Sequence, residues 1–522
     1  MTDSIKPEQT NKPEDLTGRD KIVKNVLTGW VTYLVFLVSG FIMPRLIDNY
    51  AGQFALGIWD FCWTFINYIG ISGLGLSGAL NRFVPGYRTT GELHKLNQAV
   101  STVVVMQAVL ALFVITASVI VFFLIPVYFS DRLGDQVGVA SWVVLLLGAS
   151  MSVEMLFDAS KGVLTGYHRW DVVNAIFSLS RIASTTGMII ALLVGGGLVS
   201  LGAVYFIVTS VFMLVRYFVT RKLCPDITVK LSLTKMAIAK EMFLFGIKTH
   251  VITLPRIFLL QTINIIVAAS MGPAALAIFT RPVALVKYID SFISRFSFVL
   301  TPIAGAIQAS GDDQELRDFV LETTRTSVAI TLPLLMLLAV FGDVVIGVWM
   351  GSNYVNHPLI ILLAMGAFLP ASQQAIIRIL MGMNMHGRVG FISFIVSLLV
   401  FLPGYYYING TEWTLMNAAS LIVLPEVIGT GLVLPIYACR IIGIPFYQYL
   451  SRAFFTPVLT CSVFLGIILL NRALLYDQLF LALTGALLSG GVVLIFLYWK
   501  FLLTPGQRIK VSGYMKKFSF AR

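Results

Sequence analysis

The chain has 522 residues, 57% of them hydrophobic and 12% charged, with a mean hydropathy of +0.87. A water-soluble fold of this length cannot bury so much apolar surface, which excludes a soluble enzyme or binding module and makes a bilayer the main solvent. The formal net charge of +12 does not point to nucleic acid, because the basic positions follow membrane topology.

In chain order, residues 1–25 mix acids, bases and prolines without the apolar stretch of a cleavable signal, so a cytoplasmic N-terminal segment is expected, with the first helix as insertion signal. Apolar runs of about 20 residues, long enough as helix to span about 30 Å of hydrocarbon, recur from there. About fourteen are marked, at 26–45, 54–79, 101–127, 137–160, 172–194 and 199–219, then 242–271, 274–300, 319–341, 357–380, 389–407 and 414–438, and finally 453–471 and 479–502. They are too long and too apolar on every face for barrel strands, which leaves an all-α polytopic membrane protein. Residues 26–230 are expected to form an N-lobe of helices one to six and 241–440 a C-lobe of helices seven to twelve. Helices thirteen and fourteen occupy 451–503, and 504–522 form a basic cytoplasmic tail suited to anionic lipid through Arg508, Lys510, Lys516, Lys517 and Arg522.

Lys and Arg gather in the connections from even to odd helices: Arg82, Arg88 and Lys95, then Lys161 and Arg169, then Arg216, Arg221, Lys222, Lys230, Lys235 and Lys240, then Arg317, Arg378, Arg388, Arg440 and Arg452. This bias places those connections and both termini in the cytoplasm. The opposite loops hold almost none, Arg132 and Arg472 excepted. Cys62, Cys439 and Cys461 fall in apolar spans and Cys224 in a basic loop, a pattern with neither disulfide nor metal spacing.

The chain also repeats itself. Ala55-Leu56-Gly57-Ile58-Trp59 leading to Tyr68-Ile69 returns, at an offset of 220, as Ala275-Leu276-Ala277-Ile278-Phe279 leading to Tyr288-Ile289. The same offset relates Gly91 to Gly311, and an offset of 216 relates Leu164-Thr165-Gly166 to Leu380-Met381-Gly382. Because each copy holds an even number of helices, the lobes enter from one side and are parallel repeats about an axis along the membrane normal.

With these features the sequence resembles the polysaccharide-transporter branch of the multidrug/oligosaccharidyl-lipid/polysaccharide exporter superfamily. The likeness rests on Leu80-Asn81-Arg82-Phe83-Val84, the stretch Gly162 to Asp171, Phe298 to Ile307 with Thr301-Pro302, and Gly311 to Tyr354. It implies a flippase of the O-antigen type in the bacterial inner membrane, delivering an undecaprenyl-pyrophosphate oligosaccharide to the outer leaflet for polymerisation. It further implies an inverted V that alternates between inward-open and outward-open states, membrane lipids around it, and a polysaccharide polymerase and chain-length regulator as partners.

Ionisable groups at membrane depth cost about 2.5–3.5 kcal/mol each on insertion scales and mark paths or buried pairs. Helix seven carries Lys248, His250 and Arg256, and helix eight carries Arg281, Lys287, Asp290 and Arg295. At about 100° per residue, Arg281, Tyr288 and Arg295 share one stripe of helix eight at steps of about 10 Å. A pyrophosphate crossing a low-dielectric region needs such cations along its route, and the guanidinium fork suits phosphate oxygens. Arg256, Arg281, Tyr288, Arg295 and Lys287 are therefore the candidate substrate contacts, although Lys287 and Asp290, three apart, can also neutralise each other.

Among the acids, Glu154 and Asp158 share a face with Lys161 as a charge cluster or ion site, and Glu426 stands near mid-helix beside Pro425 as a proton site or the partner of a cavity arginine. Asp60 matches Thr280 under the offset of 220, which places it level with Arg281 for a charge pair between lobes that closes an outer gate. No cofactor is expected beyond a coupling H⁺ or Na⁺. The rivals are a cation-coupled multidrug exporter, which needs acids where helix one offers Thr28, Thr32, Tyr33 and Ser39, and a polysaccharide polymerase or ligase, for which the external stretch Gly342 to Asn356 is short. The glycine run Gly70 to Gly75 lies inside helix two and is not a phosphate loop.

Overall fold

The computed structural model describes residues 21–73, 75–503, 506–508 and 512. Residues 1–20 and most of the basic tail, with Lys510, Lys516, Lys517 and Arg522, lie outside the described residues, as do the side chains of Arg82 and His250. Every regular element among the described residues is helical. Twelve helical segments are long and apolar enough to cross a membrane, against the fourteen expected.

The difference lies at two joints. The helical run Ile22–Gly70 contains Gly52 at φ 86°, ψ 167°, and its repeat equivalent Gly272 has φ 86°, ψ 170° between Leu254–Met271 and Pro273–Ser297. This backbone region is open essentially to glycine alone. Contacts show that the chain reverses at Gly52. Residues before it run antiparallel to Pro273–Ser297, with Gly29 against Arg295 and Tyr33 against Tyr288, while residues after it run parallel, with Gln53 against Ala274 and Asp60 against Thr280. Two helices, α1 (22–51) and α2 (53–70), therefore replace one. The other segment outside the twelve is Pro273–Ser297, whose Arg281, Lys287, Asp290 and Arg295 lower its hydropathy.

α2 is followed by a helix over Leu76–Thr89, and the longer helices after it are α3 (Leu93–Tyr128), α4 (Val137–Leu156, resuming as Asp158–Gly166), α5 (Trp170–Leu193), α6 (Leu198–Leu223), α7 (Met236–Val251 and Leu254–Met271), α8 (Pro273–Ser297, followed by Leu300–Ser310) and α9 (Asp313–Met350). After them come α10 (His357–Ser372, resuming as Gln374–Gly382), α11 (His386–Asn409), α12 (Leu415–Glu426, a π-helical Val427–Val433, then Leu434–Ile442), α13 (Phe446–Leu474) and α14 (Leu479–Leu502).

Two lobes repeat one packing pattern: α3 on α4, α4 on α6, α5 on α6 and α1 on α5 in the first, and α9 on α10, α10 on α12, α11 on α12 and α7 on α11 in the second. Irregularities repeat too. Helix α4 breaks at Phe157 (φ −98°, ψ 3°) and α10 at the equivalent Gln373 (φ −81°, ψ 0°). Among the described residues the two non-glycine positions with positive φ are His168 and Asn384, both at 56° and again equivalent under the offset of 216. In both lobes a glycine lets the helix segments touch: a Cβ on Gly166 would lie 2.6 Å from Val84, and one on Gly382 would lie 2.2 Å from the carbonyl oxygen of Thr301. The fold is thus two parallel lobes related by a pseudo-two-fold, as the sequence offsets predict.

Two contacts bear on the expected division. The first segment of α7 packs its Ile238, Met242 and Phe245 into the N-lobe cluster around Leu80, Val84 and Val103, so a boundary at 241 cuts through a packed unit. The pair α13–α14 docks on α9 through Arg472, whose two guanidinium nitrogens donate to Asp343 at 2.9 and 2.6 Å, and through the Tyr498 hydroxyl, which donates to the carbonyl of Ala329 at 2.6 Å.

Replacing Gly52 or Gly272 by Val forces a side chain into a glycine-only conformation, at a cost of about 1–3 kcal/mol. Thermal unfolding of the detergent-solubilised variants is expected at lower temperature than for the control change Gly138→Ala, where a Cβ meets open space.

Candidate functional site

The lobes meet along two walls related by the pseudo-two-fold. On one, α1 lies against α8, and on the other α7 lies against α2. Tyr288 stacks on Phe41 of α1 with ring centres 5.1 Å apart, and its repeat equivalent Tyr68 contacts Phe258 of α7 at 6.2 Å. Equivalent residues face each other near the axis. Thr280 donates its hydroxyl to Oδ2 of Asp60 at 2.6 Å, and the two positions are 220 apart.

Beside that contact Arg281 donates to Asp60 Oδ2, so the ion pair joins α8 to α2 across the lobes. Arg281 is 3% exposed, and its guanidinium carbon lies 5.9 Å from the ring centre of Trp349. The pair is eight to nine residues from the turns at Gly52 and Gly272, about 12–14 Å along each helix at 1.5 Å per residue. Toward those turns further bridges close the lobes together. Trp349 donates its indole N–H to the carbonyl of Phe41 at 2.7 Å, the Tyr354 hydroxyl donates to Asp48 at 2.5 Å, Arg45 donates to the carbonyl of Met350, and Gln53 donates to that of Ala274 at 3.2 Å. A Cβ on Gly57 would stand 1.9 Å from the carbonyl oxygen of Pro273, so this approach of α2 to α8 tolerates no side chain.

The rest of the α8 stripe runs toward the opposite face. Arg295 lies over the ring of Tyr33 at 5.0 Å and donates to the carbonyl of Gly29 at 3.3 Å, while the Tyr33 hydroxyl donates to the carbonyl of Tyr288 at 3.0 Å.

A second charge group lies within the C-lobe. Arg256, just after the break in α7, pairs with Asp290 of α8 at 2.5 Å and with Glu426 of α12 at 3.7 Å. Local irregularity positions each member. Across the π-helical turns after Pro425, Ser397 and Ser393 of α11 donate to the carbonyls of Pro425 and Gly429 at 3.2 and 3.1 Å, the latter also accepting from the Leu434 N–H, which fixes the helix where Glu426 projects. Gln374, after the break in α10, donates to Asp290 at 3.1 Å, and Arg378 donates to Ser294 at 2.6 Å. The in-helix pairing of Lys287 with Asp290 is not formed. Asp290 is taken by Arg256 from another helix at shorter range, and Lys287 is exposed. Glu426, isolated in its own helix, has Arg256 as its neighbour.

In the N-lobe, Asp158 pairs with Lys161 at 3.6 Å, whereas Glu154 forms no ion pair among the described residues. Arg216 of α6 donates to the Ser160 hydroxyl and to the carbonyl of Phe157 at 3.0 and 3.1 Å and so caps the break in α4. Glu154 and Asp158 thus lie away from the lobe interface group and are not brought together with Arg256, Arg281 or Arg295. Sequence reasoning passed over Arg181, a cation midway along α5, although its place inside an apolar run was a visible signal. It also passed over the bridges of Arg45 and Trp349, which depend on tertiary contact alone.

The arrangement contains paired and unpaired cations between two symmetric helical lobes. The family described as polysaccharide biosynthesis protein matches residues 92–357, about half of the chain, and the protein belongs to it. An uncharacterized membrane protein of Methanocaldococcus jannaschii is 21% identical over 368 residues, 67% of this chain and 71% of that protein. The fold is similar to that of the lipid II flippase MurJ in an inward closed conformation, with TM-score 0.65 and 16% identity over 91% of this chain and 98% of that one. It is similar also to a superfamily transporter from Pyrococcus furiosus, with TM-score 0.64 and 16% identity over 84% of this chain and 99% of that one.

Gly57→Val should hold α2 and α8 apart at the Gly52 end. A single cysteine introduced at Gln53 should then react faster with a membrane-impermeant thiol reagent than the same cysteine in the Gly57 background, and equal rates would show that the approach is not what closes this end.

Proposed function

We propose that the chain is a flippase that carries an undecaprenyl-pyrophosphate-linked oligosaccharide from the inner to the outer leaflet of a bacterial cytoplasmic membrane for surface polysaccharide assembly, by alternating access between the lobes. One observation carries the reading: at membrane depth between and beside the lobes, the cations Arg181, Arg256, Arg281, Lys287 and Arg295 have, among the described residues, three paired carboxylates, Asp60, Asp290 and Glu426. Such an excess suits an anionic cargo and not the cationic drugs of a multidrug exporter. Membership of a polysaccharide biosynthesis family supports a sugar cargo, and the shared fold with a lipid II flippase supports a lipid-linked one.

In this reading α1, α2 and α8 each cross the membrane, giving fourteen passes. The Lys and Arg distribution makes the Gly52 and Gly272 end external and puts both termini in the cytoplasm. The bridges at the Gly52 end then form the closed outer gate of an inward-facing state. Lys287, exposed in mid-helix, faces the aqueous cavity, since exposure to lipid would be costly. Arg295 and Tyr288 receive the headgroup from the inner side, and Arg281 meets it when Asp60 lets go. A polymerase and a chain-length regulator would take the product on the outer face.

The direct test is transport of a fluorescent undecaprenyl-pyrophosphate oligosaccharide in proteoliposomes, read by an impermeant quencher. Movement no faster than in protein-free vesicles would remove the reading, and movement of cationic drugs instead would favour the exporter.

Two sets of variants test its parts. Removing one partner of a buried ion pair costs about 3–5 kcal/mol, so Asp60→Arg and Arg281→Asp should each abolish transport, and the double reversal should restore closure, scored by protection of the cysteine at Gln53. Absence of recovery removes the pair from the gate. Glu426→Gln should lose the response of transport to an imposed pH or sodium gradient, and an unchanged response would assign Glu426 to holding Arg256.

A further inference from the structure

Arg181 lies eleven residues into α5, about 16 Å from its start and near the middle of an apolar span. It differs from the other arginines in or near the membrane helices. Arg256 and Arg281 have carboxylates, Arg295 a carbonyl, Arg378 a serine, and Arg216 a serine and a carbonyl. Among the described residues Arg181 has neither an ion pair nor a hydrogen bond, and its Nε, like those of Arg281 and Arg378, is buried without an acceptor. An unpaired guanidinium is the costliest arrangement a membrane helix can hold, and it persists where water or a ligand completes it.

Its position is built rather than incidental. A ladder of polar pairs joins α1 to α5 at a constant sequence separation of 146: the Asn25 side-chain oxygen accepts from the Asp171 N–H at 2.9 Å, Asn174 donates to Thr28 at 3.2 Å, Thr32 and Ser178 share a hydrogen bond of 2.9 Å, and Thr185 donates to Ser39 at 3.1 Å. Ser178 and Thr185 lie one turn before and one turn after Arg181, so the ladder fixes the backbone on both sides of it. Its guanidinium carbon lies 6.0 Å from the ring centre of Phe36, which in turn meets the ring of Tyr288 at 6.2 Å. Phe36 therefore stands between Arg181 and the α8 stripe of Arg281, Tyr288 and Arg295.

We infer that Arg181 is the N-lobe contact for a phosphate of the cargo, bound by its guanidinium fork beside the aromatic pair Phe36 and Tyr288. This deepens the flippase reading and rests on it. Binding to one cation on each lobe makes the affinity depend on how the lobes sit, because the Arg181 to α8 distance changes whenever they move relative to each other.

The test is titration of the full chain in nanodiscs with farnesyl pyrophosphate. Loss of a charge-assisted hydrogen bond is expected to weaken binding roughly tenfold or more in Arg181→Gln. Arg181→Lys keeps the charge but not the fork, so it should weaken pyrophosphate a few-fold and leave farnesyl monophosphate nearly unchanged. A merely structural arginine predicts lower thermal stability in Arg181→Gln with unchanged affinity, and that result overturns the inference alone. Wild-type protein that does not bind the probe overturns the flippase reading as well. Should Arg181→Gln fail to fold, the lysine variant decides, and equal affinity of wild type and Arg181→Lys for pyrophosphate overturns the assignment.

Discussion

A charge at membrane depth must find a partner, and that constraint organises the core of this protein. The Asp60–Arg281 pair is the ion pair that joins the lobes among the described residues, beside hydrogen bonds to main-chain carbonyls and aromatic contacts. A buried pair of this kind adds little net stability compared with a well-packed apolar contact, because desolvating both ions consumes most of the Coulomb gain. Its value lies in discrimination. Separated, each ion needs water or a ligand, so the lobes can part only where one is at hand.

Duplication supplies the frame, and departures from symmetry supply the function. On the axis the equivalent positions are Asp60 and Thr280, a carboxylate against a hydroxyl, which leaves room for the single neighbouring guanidinium of Arg281. Two carboxylates there would repel each other. Helix α1 is held to α5 by polar pairs, whereas its counterpart α7 is broken at 252–253 and approaches α11 through Gly387 and Gly390, with a Gly390 Cβ placed 2.8 Å from Ile252. One lobe therefore presents a stiff wall and the other an articulated one. The articulation lies beside Arg256, within the triad that includes Glu426.

Much of the fold was legible in the chain because membrane helices announce themselves by length, and because the repeat survives in turns that only glycine can make. Gly52 and Gly272 show why: their backbone angles agree within a few degrees, so the residue type cannot drift. The site was legible only in part. The stripe of Arg281, Tyr288 and Arg295 follows from helical periodicity; Tyr288 and Arg295 lie on the α1 wall and Arg281 reaches Asp60 of α2. In-helix spacing also suggested Lys287 with Asp290, and there it misled, since the partner of Asp290 comes from a different helix, α7. The bridges between α1 and the end of α9, made by Trp349 and Arg45, join positions 308 and 305 apart in sequence and leave no local trace.

In the proposed cycle, pairing and packing together would make closure at the Gly52 end both firm and reversible. The bridges there are of two kinds. Trp349, Arg45 and Gln53 all donate to main-chain carbonyls, while Tyr354 and Arg281 are held by the carboxylates of Asp48 and Asp60. Carbonyl contacts of this sort exchange readily with water and bring little net free energy each. An anion arriving at Arg281 competes directly with Asp60 and leaves the carbonyl contacts untouched, so its effect is confined to the step that is charge-dependent. Asp60 would not be stranded, since the Thr280 hydroxyl remains as a donor at 2.6 Å. The hydroxyl on the symmetry axis thus lowers the cost of releasing the arginine, and an apolar residue in its place would bind the two lobes more rigidly.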